Sequence, residues 1–172
     1  MTDTQIDILG SATEWAKTEM YHSASFALFG IIFLAISFSF WQFGRTDTEK
    51  AYIIPLLVIG LLLMILGVGL VISNQLRLSG FEATLNTDYA SFLTTEIARA
   101  DKTISGYENV IYRVMPFIII SCAALLLFVR APIWQASLAA TIALMIVIVI
   151  IDSNAATRLA DYKDALLHAQ QQ

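Results

Sequence analysis

The sequence predicts an all-α polytopic membrane protein, with four transmembrane helices in two antiparallel hairpins and a cytoplasmic layer of amphipathic helices. Hydrophobic residues make up 58% of the 172 and charged residues only 14%, whereas soluble domains are about half apolar and about a quarter charged. The apolar residues are also concentrated in four uncharged blocks, each close to the roughly 17 to 25 residues that cross the hydrocarbon core of a bilayer. These two observations exclude an ordinary water-soluble fold.

The positions of the four blocks divide the chain into seven segments. They are an amphipathic N-terminal segment (1–23), a first span (24–44), a second span (51–73), a cytoplasmic amphipathic helical segment (74–113), a third span (114–130), a fourth span (132–151) and a C-terminal cytoplasmic helical extension (152–172). The first span follows 23 mostly polar residues instead of the short basic region of a signal peptide, so we expect it to be retained.

Small residues predict close packing between the first two spans. Gly30, Ser37 and Gly44 recur every seven residues in the first span, and Gly60 and Gly67 do so in the second. This spacing keeps the small side chains on one helix face, where two backbones can approach each other. The connection GRTDTEK is short, so the two spans are expected to be antiparallel neighbours that pack through Gly30, Ser37, Gly60 and Gly67.

Segment 74–113 has one apolar and one charged face. Its apolar side chains recur every three or four residues, which makes one stripe along a helix; this apolar stripe comprises Phe81, Leu85, Tyr89, Phe92, Leu93, Ile97, Ile104 and Tyr107. The opposite face carries the charged residues Glu82, Asp88, Glu96, Arg99, Asp101, Lys102 and Glu108. We expect the second helix to end at Ser79-Gly80 and the amphipathic helix to bend at Ser105-Gly106, because glycine is a poor interior helix residue.

The apolar stripe needs a cover, since large exposed apolar patches mark interaction surfaces. The candidates are the N-terminal helix, the C-terminal helix, the membrane surface and a second subunit. If the chain's own termini cover the stripe, segment 74–113 is structural; otherwise it marks a partner surface.

The third and fourth spans form the second predicted hairpin, joined by the short sequence RAPIW. In the fourth span, small residues recur at four-residue spacing, a pattern typical of a helix–helix contact within the chain or with a second copy; they are Ala136, Ala139, Ala140 and Ala143. The residues after 151 contain neither glycine nor proline, so we expect the fourth helix to leave the membrane as one continuous rod.

The distribution of lysine and arginine predicts that both termini are cytoplasmic. Seven of these residues lie on the side of the termini and three on the other side, and the positive-inside rule places the basic side in the cytoplasm. We expect an integral protein of a plasma membrane or a bacterial inner membrane. The polar segments on the cytoplasmic side carry a net charge of −5, which disfavours nucleic acid as a partner.

The sequence contains no motif for catalysis, cofactor binding or a metal, and we expect a protein that is not an enzyme. Glu19 and His22 have the E-x-x-H spacing of carboxylate di-iron bundles, but no second pair accompanies them. Asp152 follows the fourth span and is most simply a residue of the bilayer boundary. Asp152, Glu19 and His22 are therefore retained only as candidates for an ion contact.

The charges of the C-terminal extension are expected to form a solvated face, with a local ion pair among Arg158, Asp161, Lys163 and Asp164. Cys122 lies in the third span among aliphatic side chains, where a thiol stays protonated and inert.

Three functions are compatible with these features. The first is a homo-oligomeric pore or channel in the lipid bilayer with a helical cytoplasmic layer. The second is a scaffold or regulatory subunit that docks on other membrane proteins through its cytoplasmic helices. The third, an intramembrane metalloenzyme that uses Glu19 and His22, requires more ligands than the sequence offers.

Overall fold

The computed structural model describes residues 3–171, which are helical almost throughout and contain no strand. The helices are α1 (Asp3–Phe43), α2 (Asp47–Ala51), α3 (Ile53–Thr87), α4 (Tyr89–Asn109), a π-helical turn (Val110–Val114), α5 (Met115–Leu126) and α6 (Pro132–Gln170). The predicted all-α class is confirmed for this part of the chain. Residues 1, 2 and 172 of the two predicted terminal segments lie outside it.

Four stretches are long and apolar enough to cross a membrane, as judged by length and composition. They are Gln5–Phe43, Asp47–Thr87, Tyr89–Leu126 and Pro132–Gln170. Each has 38 to 41 residues, about twice the 20 that a bilayer core requires. The fold is therefore compatible with a membrane-embedded protein whose helices also extend well beyond the hydrocarbon.

Helices α1 and α3 form the most extensive contact of the chain, and glycine sets their separation. A Cβ atom added to Gly30 would lie 2.8 Å from the carbonyl oxygen of Gly60, and one added to Gly67 would lie 2.5 Å from the backbone nitrogen of Ala27. The Ser37 hydroxyl donates a hydrogen bond of 2.8 Å to the carbonyl oxygen of Ile53. Contacts at these distances leave no room for a side chain at Gly30 or Gly67.

Helix α6 packs against both α1 and α3, whereas α5 packs on α6. One buried cluster joins α1, α3 and α6 and contains Phe26, Leu63, Val147 and Ile151. A second cluster contains Leu56, Ile59 and Ala140. In the most apolar 18 residues of the third candidate span only 11% of the residues are buried, against 22% to 28% in the other three spans. Helix α5 is thus the least covered of the apolar helices.

Two predicted helix breaks are wrong, and the observed break lies elsewhere. Helix α3 continues through Ser79-Gly80 to Thr87, and α4 continues through Ser105-Gly106 to Asn109. The chain turns at Asp88, whose backbone is extended (φ −154°, ψ 97°) and whose side chain accepts a hydrogen bond of 3.0 Å from the Ser91 N–H. An aspartate that caps the next helix is a stronger break signal than a glycine that remains helical.

The π-helical turn Val110–Val114 ends two residues before Pro116. Proline has no N–H for the carbonyl four residues earlier, and its ring collides with that carbonyl in a regular α-helix. A turn widened to π geometry relieves this collision without ending the helix. Residues 89–126 can therefore continue as one rod from α4 into α5.

The apolar stripe is covered by the chain's own terminal helices. Phe81, Leu85, Phe92 and Leu93 of the stripe are buried in one cluster. Residues from the start of α1 and the end of α6 complete that cluster: Ile8, Ala12, Trp15, Ala16, Leu159, Tyr162 and Leu166. The other four members of the stripe, Tyr89, Ile97, Ile104 and Tyr107, pack against it and are partly buried. Segment 74–113 is therefore part of an internal core.

Candidate functional site

Ten polar or aromatic side chains meet where α1, α3, α4 and α6 come together. We call this group the junction cluster; its members are Trp15, Glu19, Asn74, Arg77, Glu96, Arg99, Tyr107, Asp152, Arg158 and Tyr162. Asn74 and Asp152 directly follow the predicted second and fourth spans. The cluster therefore lies between the long apolar helices and the covered stripe.

Glu96 and Arg99 form a buried ion pair on α4. Arg99 Nη2 lies 2.6 Å from Glu96 Oε2, and Arg99 Nε lies 3.1 Å from each carboxylate oxygen. Glu96 is only 8% exposed, although the sequence pattern places it on the charged face opposite the apolar stripe. The Tyr162 hydroxyl of α6 donates a fourth, longer hydrogen bond of 3.4 Å to Glu96 Oε2. These partners offset part of the cost of removing the carboxylate from water.

The indole ring of Trp15 is held between aromatic and cationic neighbours. It stacks on Tyr162 with a centroid distance of 5.0 Å and an angle of 10° between the ring planes. The guanidinium carbons of Arg99 and Arg77 lie 4.8 and 5.7 Å from its centroid, within the range of cation–π attraction. The Trp15 Nε1 atom is buried and has no hydrogen-bond partner among the described residues, so contacts with the ring faces hold this side chain.

A second ion pair connects α1 with α6. Arg158 donates from Nη2 and Nε to Glu19 Oε2, at 2.9 and 3.3 Å. Asp152 lies nearby on α6, and burial, followed by the charge of Glu19, raises the pKa of its carboxyl to about 6. Burial, followed by the charge of Asp152, raises the pKa of the Tyr107 hydroxyl to about 12. Two acids, one arginine and one protonated phenol thus share this side of the cluster.

The expected local ion pair in the C-terminal extension is wrong. Arg158 pairs with Glu19 of α1, and Lys163 Nζ lies 2.6 Å from Asp101 Oδ1 of α4. Both cations therefore connect α6 to another helix.

A cavity of about 150 Å³ opens beside the ion pairs. Side chains of all four helices line it: Trp15 and Glu19 of α1, Asn74 and Arg77 of α3, Arg99 and Tyr107 of α4, and Leu159 of α6. Burial, followed by the like charge of Arg99, lowers the pKa of Arg77. Arg77 forms no ion pair within the described chain; its Nη1 donates to Asn74 Oδ1 at 3.3 Å. The wall of the cavity thus contains one cation, Arg77, that is not paired with an acid.

The residues proposed for helix packing lie partly between α1 and α3 and partly on α6. Gly30, Ser37, Gly60 and Gly67 lie between α1 and α3. Ala136 and Ala140 are buried, and Ala140 belongs to the cluster with Leu56 and Ile59 of α3. Ala139 and Ala143 are partly buried.

The three candidates for an ion contact separate into two groups. Glu19 lies close enough to Asp152 for its charge to raise the pKa of the Asp152 carboxyl. His22, in contrast, is exposed. Within residues 3–171 no group of three or more histidine, cysteine or acidic side chains comes together around a metal-sized gap.

Sequence reasoning missed most of the junction cluster. Trp15 belongs to the predicted N-terminal segment, whereas Asn74 and Arg77 begin the predicted cytoplasmic segment 74–113; nothing in a helical pattern brings these positions together. One usable signal was the three-residue spacing of Glu96 and Arg99, which favours a local ion pair able to enter a core.

The cluster combines features that are common in binding sites and in structural cores. It holds paired charges, a stacked tryptophan and a small polar cavity, and it contains no nucleophile next to a base.

No protein-family model, curated protein or solved structure matches this chain.

Proposed function

We propose that the protein is a non-catalytic integral membrane protein whose helices cross the bilayer in two antiparallel hairpins. Contacts between α1 and α3 support the first hairpin, because the partner residue falls from Gly67 through Gly60 to Ile53 as the α1 residue rises from Ala27 through Gly30 to Ser37. The packing of α5 on α6, with a short connection between them, supports the second.

The covered stripe and the excess of basic residues on its side support a cytoplasmic layer. The layer consists of segment 74–113, the start of α1 and the end of α6. We propose that both termini are cytoplasmic, as the positive-inside rule predicts.

Within this frame, we propose that several copies assemble into a pore. The observation that carries the proposal is the intramolecular cover of the apolar stripe. A scaffold or regulatory subunit is expected to dock through its cytoplasmic helices, and the apolar stripe of those helices already packs against α1 and α6. The apolar faces left for assembly are those of the membrane helices, above all α5.

The pore is proposed to lie between copies, not within one chain. Helices α1 and α3 approach to backbone contact at Gly30 and Gly60, so no solute can pass between them. A closed ring of copies related by rotation creates an opening on its axis without any change inside the subunit. The cytoplasmic layer then surrounds the entrance.

Two measurements on the purified protein in lipid nanodiscs and planar bilayers test this proposal. Native mass spectrometry is expected to give one defined oligomer, and bilayer recordings are expected to give discrete conductance steps. A monomer without conductance under varied voltage and divalent ion concentration would contradict it. A monomer that is captured from native membranes with a stoichiometric partner would instead favour the scaffold function.

Cross-linking locates the contact between copies. In a Cys122→Ser background, Phe117→Cys on α5 is expected to form dimers with a bismaleimide reagent. Ile65→Cys on α3 is the matched control, since Phe117 and Ile65 are similarly exposed, at 72% and 69%. Equal cross-linking at both positions would show that α5 is not the preferred interface.

A further inference from the structure

The cavity of about 150 Å³ beside the junction cluster is lined by Arg77, a cation whose hydrogen-bonding capacity is largely unused. A guanidinium carries five N–H donors, and Arg77 uses one of its nitrogens, in the bond from Nη1 to Asn74 Oδ1. Arg77 has no acidic partner within 4.0 Å in the described part of the chain. The half-buried guanidinium has therefore lost part of its water without forming an ion pair in this part of the protein, although the charge of Glu96 acts on it from farther away.

Asn74 presents a second donor that is not used. The side chain is only 5% exposed, and its oxygen faces Arg77, because a guanidinium donates and cannot accept. This orientation leaves the Nδ2 amide group as a free donor pair among the described hydrogen bonds. Asn74 lines the same cavity as Arg77.

The other charges around the cavity are already paired, except for one additional guanidinium edge. Glu19 is bound by two N–H groups of Arg158. Arg99 binds Glu96 through Nε and Nη2, so its Nη1 is not engaged in that pair. Arg99 lies close enough to Arg77 that its charge lowers the pKa of Arg77. Two like charges near one small cavity are stabilised by an anion between them.

We propose that this cavity binds an oxyanion of the phosphate type, held by Arg77, Arg99 and Asn74. A volume of about 150 Å³ corresponds to roughly five water molecules at about 30 Å³ each, which leaves room for one tetrahedral oxyanion with a little water. Tyr107, whose side chain carries a hydroxyl donor, also lines the cavity. This binding goes beyond the proposed pore function and does not depend on it.

The position of the cavity allows two sources for the phosphate group. Leu70 and Ser73 on its wall belong to the end of the predicted second span, the level at which lipid headgroups lie. A phospholipid with a phosphate monoester and free phosphate offer the same oxygens, and guanidinium groups bind both by paired hydrogen bonds.

Titration of the full-length protein in maltoside detergent free of phospholipid tests the first source. Inorganic phosphate is the probe, with sodium chloride at equal ionic strength as the blank, and saturable broadening of the ³¹P signal reports binding. Arg77→Gln is expected to weaken phosphate binding at least tenfold, and Arg77→Lys to weaken it less, because it retains the charge but not the planar fork. Lys102→Gln is the control, since this exposed cation on α4 removes the same charge away from the cavity.

Nanodiscs test the second source. Protein in phosphatidylcholine discs with or without phosphatidic acid is compared by thermal unfolding, and retained lipid is identified by native mass spectrometry. Stabilisation by phosphatidic acid that Arg77→Gln abolishes and Lys102→Gln preserves supports a headgroup site; tight binding of inorganic phosphate supports a free anion. If the wild-type protein binds neither probe saturably, or if Lys102→Gln weakens binding as much as Arg77→Gln, the proposal is overturned.

Discussion

Replacing Gly67 by alanine is expected to separate α1 from α3. The added Cβ would lie 2.5 Å from the nitrogen and 3.1 Å from the Cα of Ala27, whereas ordinary contact begins at about 3.4 Å. The two backbones must therefore move apart by about 0.9 Å, and the obstructing atoms are main-chain atoms that cannot rotate away. Overpacking of this kind costs about 1 to 3 kcal/mol.

Gly69→Ala is the matched control, because a Cβ there meets nothing within 4 Å. Both substitutions gain the same helix propensity, about 1 kcal/mol in favour of alanine, so their difference isolates the contact. At about 2 to 4 °C per kcal/mol for a chain of this size, Gly67→Ala should melt roughly 2 to 12 °C below Gly69→Ala. Thermal unfolding in detergent measures this difference, and equal melting temperatures would refute close packing at Gly67.

Three further predictions concern the covered stripe and the junction cluster. Leu85→Ala, at a side chain that is 1% exposed, should lower the free energy of unfolding by about 2 to 5 kcal/mol, as measured with denaturant. Leu76→Ala, at a side chain that is 68% exposed, should lower it far less. Similar losses for the two variants would show that the stripe is not covered. Tyr162→Phe keeps the stacking on Trp15 but removes the long hydrogen bond to Glu96, so a loss of about 1 kcal/mol is expected, and a loss of 3 or more would mean that this bond is misjudged. Burial, followed by the charge of Glu19, raises the pKa of the Asp152 carboxyl from 3.8 to about 6, so the folded protein loses stability as pH rises from about 4 to 6. Asp152→Asn should therefore raise the melting temperature at pH 8 but not at pH 4. If the variant and the wild type differ in melting temperature by the same amount at both pH values, this carboxyl is not the cause.

The all-helical class could be predicted from the sequence because helical order depends on local patterns. Uninterrupted apolar blocks, the three-and-four spacing of the stripe and the absence of glycine and proline after residue 151 are all visible in one dimension. The continuous helix α6 over Pro132–Gln170 agrees with that last feature.

The helix break and the junction cluster could not be predicted in the same way. Glycine at positions 80 and 106 has no close neighbour and stays helical, since tertiary packing outweighs a propensity penalty of about 1 kcal/mol. The burial of Glu96 depends on Tyr162 and Trp15, which are distant in sequence. A charged side chain on a helix face is exposed to solvent only when no cation and no aromatic ring of another helix packs against it.

The continuity of α1 has a mechanical consequence. Its 41 residues form a rod of about 60 Å, and the same rod carries the cover of the apolar stripe at one end and the Gly30 contact farther along. Since both regions belong to one helix, a displacement of the stripe cover must be absorbed by bending of α1 or be passed on to its contact with α3.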